Sequence, residues 1–166
     1  MWTKYDTSGA SDYAKTYHQK ENYPVVNISK EGAELYCKWL SDKYADKKTV
    51  FRLPLNAEWE YAARGGLKGC PYPWGGPNPD YPSGTFLAQF KEFGLTNGPM
   101  PVKSFPANEW GLYDMSGNVA EMVSDTTVVR GGSWSSTGYE IQIPTCGIYS
   151  VSPMVGFRPV ITYLGK

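Results

Sequence analysis

The sequence is poor in the residues that histidine-dependent and thiol-dependent active sites need. Its 166 residues include one histidine, His18, and three cysteines, Cys37, Cys70 and Cys146. A Ser-His-acid or Cys-His system would have to use His18, and an iron site built on several histidines lacks its ligands. Three scattered cysteines predict no disulfide framework, although any one pair could bond. We therefore expect no histidine-based catalysis.

Net charge and long apolar runs are also missing. Lys and Arg together number 16, as do Asp and Glu, so no bulk positive field favours nucleic acid as a partner. The pairs Gly65-Gly66 and Gly75-Gly76 lack the following Lys-Ser or Lys-Thr of a phosphate-binding loop. The N-terminus has no apolar signal core, and no segment is apolar enough to span a membrane. We expect a soluble protein, in the cytoplasm or a virion, and the sequence leaves the compartment open.

Aromatic residues, glycine and proline are abundant. Aromatics make up 15% of the chain, with 18 Gly and 13 Pro, which predicts a loop-rich domain whose core is built from Trp and Tyr. Residues 1–22 are polar and without periodicity, and we interpret them as an N-terminal arm. Residues 23–166 are long enough for one domain. The stretch from Gly65 to Pro106 predicts a long ordered loop region.

Two helices are predicted by apolar spacing and capping residues. Ser29 is a candidate N-cap for a helix of about four turns that places Cys37 on its apolar face, as a buried hydrophobe rather than a reactive thiol. Asn56 is the candidate N-cap of a second helix that ends at Gly65. We expect the two helices to pack around Trp39 and Trp59.

The segment from Gly111 to Asp125 places two separated carboxylates, Asp114 and Glu121, around a Ser-Gly-Asn turn. Gly117 can adopt backbone angles closed to other residues, so main-chain carbonyls and both carboxylates can be aimed at one point. A hard cation such as calcium takes about six to eight oxygen ligands, which protein groups and water could supply. The alternative is an ordinary turn with solvated acids. A glycosidase pair explains the two acids less well.

Several short phrases in a fixed order carry a family resemblance. They are Tyr23-Pro24-Val25-Val26, Arg52-Leu53-Pro54, Glu58 to Gly66, Tyr72-Pro73-Trp74-Gly75, Pro101-Val102, Ser104-Phe105-Pro106, Gly111 to Asp125, Arg130-Gly131-Gly132-Ser133-Trp134 and Gly156-Phe157-Arg158. Together they resemble the formylglycine-generating enzyme family, also called the sulfatase-modifying-factor family. The resemblance implies an α+β, irregular C-type-lectin-like fold with two main helices, short antiparallel strands and much ordered loop.

The resemblance also implies one calcium site in the loop. Its ligands would be the side chains of Asp114 and Glu121 and the backbone carbonyls of Gly117 and Val119. A second calcium site of the catalytic relatives has lost its ligating side chains, because the matching positions are Thr85 and Gly94-Leu95-Thr96.

The family's oxidase chemistry resembles a copper-thiolate mechanism with two cysteines spaced five apart after the Gly-Gly-Ser-aromatic phrase. Here those positions fall on Ser136 and Ile141, and Cys146 is displaced from them. We therefore expect a pseudoenzyme rather than an enzyme. An oxidase of the formylglycine-generating type, or a related metal oxygenase, is the alternative. For Arg158, we predict a structural pairing with a buried acid or backbone carbonyls.

The function expected is that of a lectin-like scaffold that binds a protein or glycan partner, as part of a secretion machinery or a virion. The phrase from Gly84 to Phe90 and Tyr139-Glu140-Ile141-Gln142 are similar to gliding-motility lipoproteins of the type IX secretion apparatus. An alternative resemblance is to phage and bacterial receptor-binding proteins diversified by retroelements, whose variable residues lie between the last two phrases. The candidate ligand-binding residues there are Ser135, Ser136, Tyr139, Ile141, Ile143, Thr145, Ile148 and Ser150. An ordinary structural loop is the other interpretation.

Overall fold

The computed structural model describes residues 22–46, 48–80, 82–93 and 98–165. The predicted arm lies outside these residues except for Asn22, and so do His18 and the phrase Gly94-Leu95-Thr96. Two helices and six short strands make up the described secondary structure, besides one 3₁₀ turn at Lys91–Phe93. The α+β class predicted from the sequence is confirmed.

The first helix, α1, spans Lys30–Tyr44 and begins where its capping residue predicts. The Ser29 hydroxyl accepts a hydrogen bond from the amide of Gly32 at 3.1 Å, which satisfies one of the free donors of the first turn. Cys37 is buried, as predicted, and burial raises the pKa of its thiol to about 11. The thiol therefore stays protonated at neutral pH and serves as a small core side chain.

The second helix, α2, spans Asn56–Arg64, and its start differs from the prediction by one residue. Leu55 is the N-cap, and its amide donates to the Glu58 carboxylate at 2.8 Å. The amide of Asn56 donates instead to the Asp125 carboxylate, also at 2.8 Å. The helix ends at Gly65 with φ of 54°, as predicted, because glycine adopts this left-handed conformation without strain.

The strands form two small sheets. Strand β1, Thr49–Arg52, pairs antiparallel with β6, Val160–Tyr163. The other strands are β2 at Ala120–Met122, β3 at Val128–Arg130, β4 at Cys146–Ile148 and β5 at Val155–Gly156. Their order in the second sheet is β4-β3-β2-β5. The pairing of β2 with β5 is parallel, whereas antiparallel strands were predicted.

Among the described residues, the core consists of three apolar clusters, and the two helices contribute to different ones. Ala33 and Cys37 of α1 pack with Leu53 and Met122, whereas Trp59 of α2 packs in a second cluster. The prediction that the helices pack together around Trp39 and Trp59 is therefore wrong. The third cluster joins Tyr72, Ala88 and Phe90 of the long loop region with Ile141.

Ordered loop fills much of the space between Gly65 and Pro106. Its described residues form the 3₁₀ turn and an isolated bridge between Asp80 and Phe86. Neither helix of the described chain combines the length and apolarity needed to cross a membrane.

Candidate functional site

The loop between Gly111 and Asp125 passes through backbone conformations that most residues avoid. Asp114, Gly117 and Asn118 have φ angles of 56°, 74° and 63°. Glycine, Asn and Asp tolerate this left-handed region best. At Gly117 a Cβ would also collide with the carbonyl oxygen of Gln89. Glycine is therefore required there by its φ angle and by the close approach of the neighbouring chain.

Hydrogen bonds fix this turn against three other segments. The backbone amide of Gly117 donates to the carbonyl of Gly131 at 2.7 Å. The backbone amide of Asn118 donates to the carbonyl of Gln89 at 2.8 Å. The Asn118 side chain accepts from the Met100 amide at 2.9 Å and donates to the Met100 carbonyl at 3.2 Å. Because these buried polar groups are paired, the turn is held in one conformation.

Glu121 of β2 is a buried carboxylate surrounded by donors, with 5% of its surface exposed. The indole N–H of Trp59 donates to its Oε2 at 2.7 Å. Arg158 donates from Nη2 to Oε1 at 2.6 Å, and from Nε to both oxygens at 3.1 and 3.0 Å. Its Nη2 also donates to the Tyr113 carbonyl at 2.9 Å. The predicted pairing of Arg158 with a buried acid and a backbone carbonyl is confirmed.

Asp114 uses one of its two carboxylate oxygens. Its Oδ2 accepts from the Lys103 amide at 2.8 Å, while its Oδ1 is buried and has no hydrogen-bond partner. Burial raises the pKa of Asp114, and the negative charge of Glu121 acts in the same direction, whereas the Lys103 amide and Arg158 lower it. Asp114, Glu121 and Arg158 therefore lie within electrostatic reach of one another.

The donors predicted for the loop are of the chemical type that calcium binds. The ligands predicted for it, at Asp114, Gly117, Val119 and Glu121, are all oxygens, as a hard cation requires. The unpartnered Oδ1 of Asp114 is a buried acceptor that lacks a donor, which is costly unless something binds it. In the parts of the chain that the structure describes, no three His, Cys, Asp or Glu side chains gather at one point. Backbone carbonyls and water would have to complete the coordination of such an ion.

The two positions that the sequence resemblance aligns with copper-binding cysteines pack and hydrogen-bond within this chain. The Ser136 hydroxyl accepts from the Ser133 amide at 3.1 Å, within the turn after Gly132. Ile141 is fully buried in the third core cluster. Cys146 is exposed on β4, the outer strand of the larger sheet.

The eight candidate ligand-binding residues separate into surface and core. Tyr139 and Ile148 are 70% and 87% exposed, and the exposed set also includes Ser135 and Ser150. Ser136 and Thr145 are half-buried. The structure contradicts the inclusion of two residues, because Ile141 and Ile143 are completely buried. Their side chains pack in the core clusters and cannot contact a partner.

A network around Glu60 was missed by sequence reasoning. Its carboxylate accepts from Arg64 at 2.6 Å and from Arg130 at 2.7 Å, and the Arg130 guanidinium lies 5.3 Å from the centre of a Trp59 ring. The spacing of Glu60 and Arg64, four residues apart on a helix, is a recognisable signal for the first pair. No local signal identifies Arg130, which comes from a distant strand.

Comparison with known proteins relates the whole described domain to one family. The profile described as "Sulfatase-modifying factor enzyme 1-like domain" matches residues 2–163. The chain is 42% identical over 135 residues to "Inactive C-alpha-formylglycine-generating enzyme 2" of Bos taurus, which covers 72% of this chain and 41% of that protein. It is 38% identical over 120 residues to "Formylglycine-generating enzyme" of Mus musculus, with 67% and 29% covered. The chain thus spans less than half the length of these curated relatives.

A solved structure supports the fold. "Structure of PvdO from Pseudomonas aeruginosa" superposes with a TM-score of 0.73 at 27% identity, covering 89% of this chain and 65% of that one. The predicted formylglycine-generating-enzyme-type fold is therefore confirmed. The profile covers residues 2–163, and the two relatives are 42% and 38% identical to this chain. The chain therefore belongs to the sulfatase-modifying factor enzyme 1-like family.

Proposed function

We propose that the chain is a non-catalytic member of this family, a scaffold whose loops bind a protein or glycan partner within a larger assembly. The observation that carries the proposal is the position of Ile141. This residue stands where the resemblance places a copper-binding cysteine, and it is fully buried against Tyr72, Ala88 and Phe90. A position committed to core packing is unavailable for metal chemistry.

The exposed side chains between Ser135 and Ser150 supply the contact residues of the proposal. Tyr139 and Ile148 expose large apolar side chains, and Ser135 and Ser150 add exposed hydroxyls. Binding loops often combine aromatic rings with small hydroxyl side chains, because together they supply contact area and adaptable hydrogen bonds. We refer to these four residues as the β4 surface.

A matched pair of double variants tests the β4 surface. We expect Tyr139→Ser with Ile148→Ser to abolish binding to a glycan array, or capture of the protein partner from source cells. The control is Tyr61→Ser with Ile161→Ser, which removes the same residue types at 68% and 61% exposure elsewhere. If the control loses the partner and the first variant keeps it, the interaction surface lies elsewhere.

Copper titration tests the rival oxidase function. Copper(I) added to the reduced protein should show no stoichiometric site that depends on Cys146, because one exposed thiol cannot recreate a two-sulfur site. The comparison is the wild type with Cys146→Ser. Tight binding that disappears in the variant, or turnover of a thiol peptide, would establish the oxidase instead.

We also propose that the loop binds one calcium ion, through the side chains of Asp114 and Glu121 and the carbonyls of Gly117 and Val119. The support is the all-oxygen donor set and the unpartnered Oδ1 of Asp114. When bound, the ion would add positive charge beside Asp114 and cross-link the loop to β2.

The calcium proposal predicts a ligand-dependent melting temperature. A hundredfold excess of calcium over its dissociation constant stabilises a protein by about 2.7 kcal/mol. We expect chelator to lower the melting temperature, and Asp114→Gly to remove that response. Glycine is chosen because it accepts the φ of 56° at this position while deleting the carboxylate. An equal calcium response in the variant and the wild type would reject the site.

A further inference from the structure

Arg158 connects both ends of the candidate calcium loop. Its guanidinium donates to the Glu121 carboxylate at distances from 2.6 to 3.1 Å. It also donates to the carbonyl of Tyr113, the residue directly before Asp114, at 2.9 Å. One side chain from the C-terminal part of the domain therefore contacts Tyr113 and Glu121, which lie on either side of the Ser-Gly-Asn turn.

Most of the acceptor capacity of the Glu121 carboxylate is already used in this arrangement. A carboxylate offers about four lone-pair positions. The Nη2–H of Arg158 and the indole N–H of Trp59 each take one oxygen, and the Nε–H of Arg158 is shared between both. A calcium ion that used both oxygens of Glu121 would have to weaken at least one of these hydrogen bonds.

The positive charge of Arg158 also opposes the binding of a second cation. A guanidinium keeps its charge at any pH at which proteins are folded. Arg158 contacts both Glu121 and the carbonyl of Tyr113, which directly precedes Asp114. A divalent ion between Asp114 and Glu121 would therefore lie near a fixed positive charge, in a partly buried region where Coulomb forces are screened less than in water.

We propose that Arg158 is a built-in competitor of calcium at this loop. Its guanidinium neutralises Glu121 in the folded chain, so the domain folds without a cation, and calcium binds only to the extent that it displaces part of this ion pair. The inference rests on the proposed calcium site, and it makes Arg158 the residue that keeps calcium affinity low.

Calcium titration calorimetry of the full chain tests this role. We expect Arg158→Gln to bind calcium at least tenfold more tightly than the wild type, because glutamine removes the charge and retains a donor. Arg158→Lys keeps the charge but loses the contact with both oxygens of Glu121, so its calcium affinity should lie between those of the wild type and Arg158→Gln. Arg52→Gln is the matched control, because it breaks a different arginine–carboxylate pair, with Glu58, and should leave calcium affinity unchanged.

The outcomes separate the two proposals. If the wild type binds calcium and Arg158→Gln binds it equally or more weakly, Arg158 is no competitor, while the calcium site stands. If neither protein binds calcium, the site itself is rejected, and the role of Arg158 with it. If Arg158→Gln is unfolded in chelator, circular dichroism supplies the answer. Refolding by about 10 mM calcium supports competition, and failure to refold while Arg158→Lys is folded contradicts it.

Discussion

At the scale of single residues, Trp59 joins the packing of α2 to the charge of the loop. Its ring is 1% exposed and packs with Ala63, Met115 and Ile143. Its indole N–H donates a hydrogen bond to the Glu121 carboxylate at 2.7 Å. A buried carboxylate needs such donors, because a charge without partners is costly in a low-dielectric interior. Packing and hydrogen bonding at this residue therefore depend on each other.

Trp59→Phe separates these two contributions. Phenylalanine keeps an aromatic ring in the cluster but removes the donor to Glu121, and leaving a buried acceptor with one fewer partner costs about 1–3 kcal/mol. We expect a loss of this size in the free energy of unfolding, measured by urea denaturation. Trp39→Phe is the control, because Trp39 is half-buried and stacks on Tyr36 at 5.5 Å. Equal losses in the two variants would show that the hydrogen bond contributes nothing beyond ring size.

Some residue roles were predictable from sequence and others were not. The burial of Cys37 followed from its position on the apolar face of α1, since helical spacing fixes which residues share a face. The pairing of Arg158 with an acid was also expected. The identity of that acid was not predicted, because Glu121 lies 37 positions away in the sequence. Sequence chemistry indicates that an arginine packed against the core needs an acid. Only the tertiary structure selects which one.

At the scale of elements, the N-terminus of α2 is held by a surface ion pair that also caps the helix. Arg52 of β1 donates two hydrogen bonds to Glu58, at 2.7 and 2.6 Å. Glu58 in turn accepts from the Leu55 amide. The hydrogen bonds from Arg52 and then from Leu55 lower the pKa of Glu58 to about 2. One carboxylate thus ties the helix start to the smaller sheet.

This pairing predicts a defined acid sensitivity. The folded-state pKa of Glu58 is depressed below its usual value of 4.5, so its stabilisation is present above pH 4.5 and is lost as the pH falls from 4.5 towards 2. We expect the melting temperatures of the wild type and Glu58→Gln to differ at pH 6 and to converge across that window. The size of the effect is modest because the side chain is 42% exposed.

Asp42→Asn supplies the control for the acid titration. It removes a carboxylate from the Lys38–Asp42 pair, whose side chains are 71% and 67% exposed and whose charged atoms are 3.6 Å apart. Such an exposed pair contributes little, so this variant should follow the wild type at every pH. A Glu58→Gln difference that stays constant from pH 6 to 2 would contradict the role given to Glu58.

The start of α2 shows why element boundaries were only partly predictable. Asn56 has the side chain of a good N-cap, but its amide is satisfied by Asp125, 69 positions away. Leu55 then takes the capping position, although its side chain cannot accept a hydrogen bond. For α1, by contrast, Ser29 satisfies its own helix locally, and the predicted start was correct. Local signals predict helix ends when the partner is local.

At the scale of the whole molecule, the site depends on a pairing between distant strands. Strand β5 runs parallel to β2, with Glu121 opposite Gly156. A Cβ at Gly156 would overlap the carbonyl oxygen of Val25, so the glycine admits a third segment beside the pair. This register brings Arg158, two residues later, to Glu121. The order of the phrases in the sequence indicated the fold, but strands of two or three residues carry too little periodicity to predict their partners.

The segment from Ser135 to Ser150, here called the tail, provides a whole-molecule test of which segments belong to the core. All three of its isoleucines were candidate ligand-binding residues, yet Ile141 and Ile143 anchor it in two different clusters while Ile148 is 87% exposed. Ile141→Ala should cost about 2–5 kcal/mol in the free energy of unfolding, because it leaves a cavity in a packed interior. Ile148→Ala should change it by less than about 0.5 kcal/mol. Urea denaturation compares the same substitution at both sites, and small effects at both would mean that the tail lies on the domain without anchoring it.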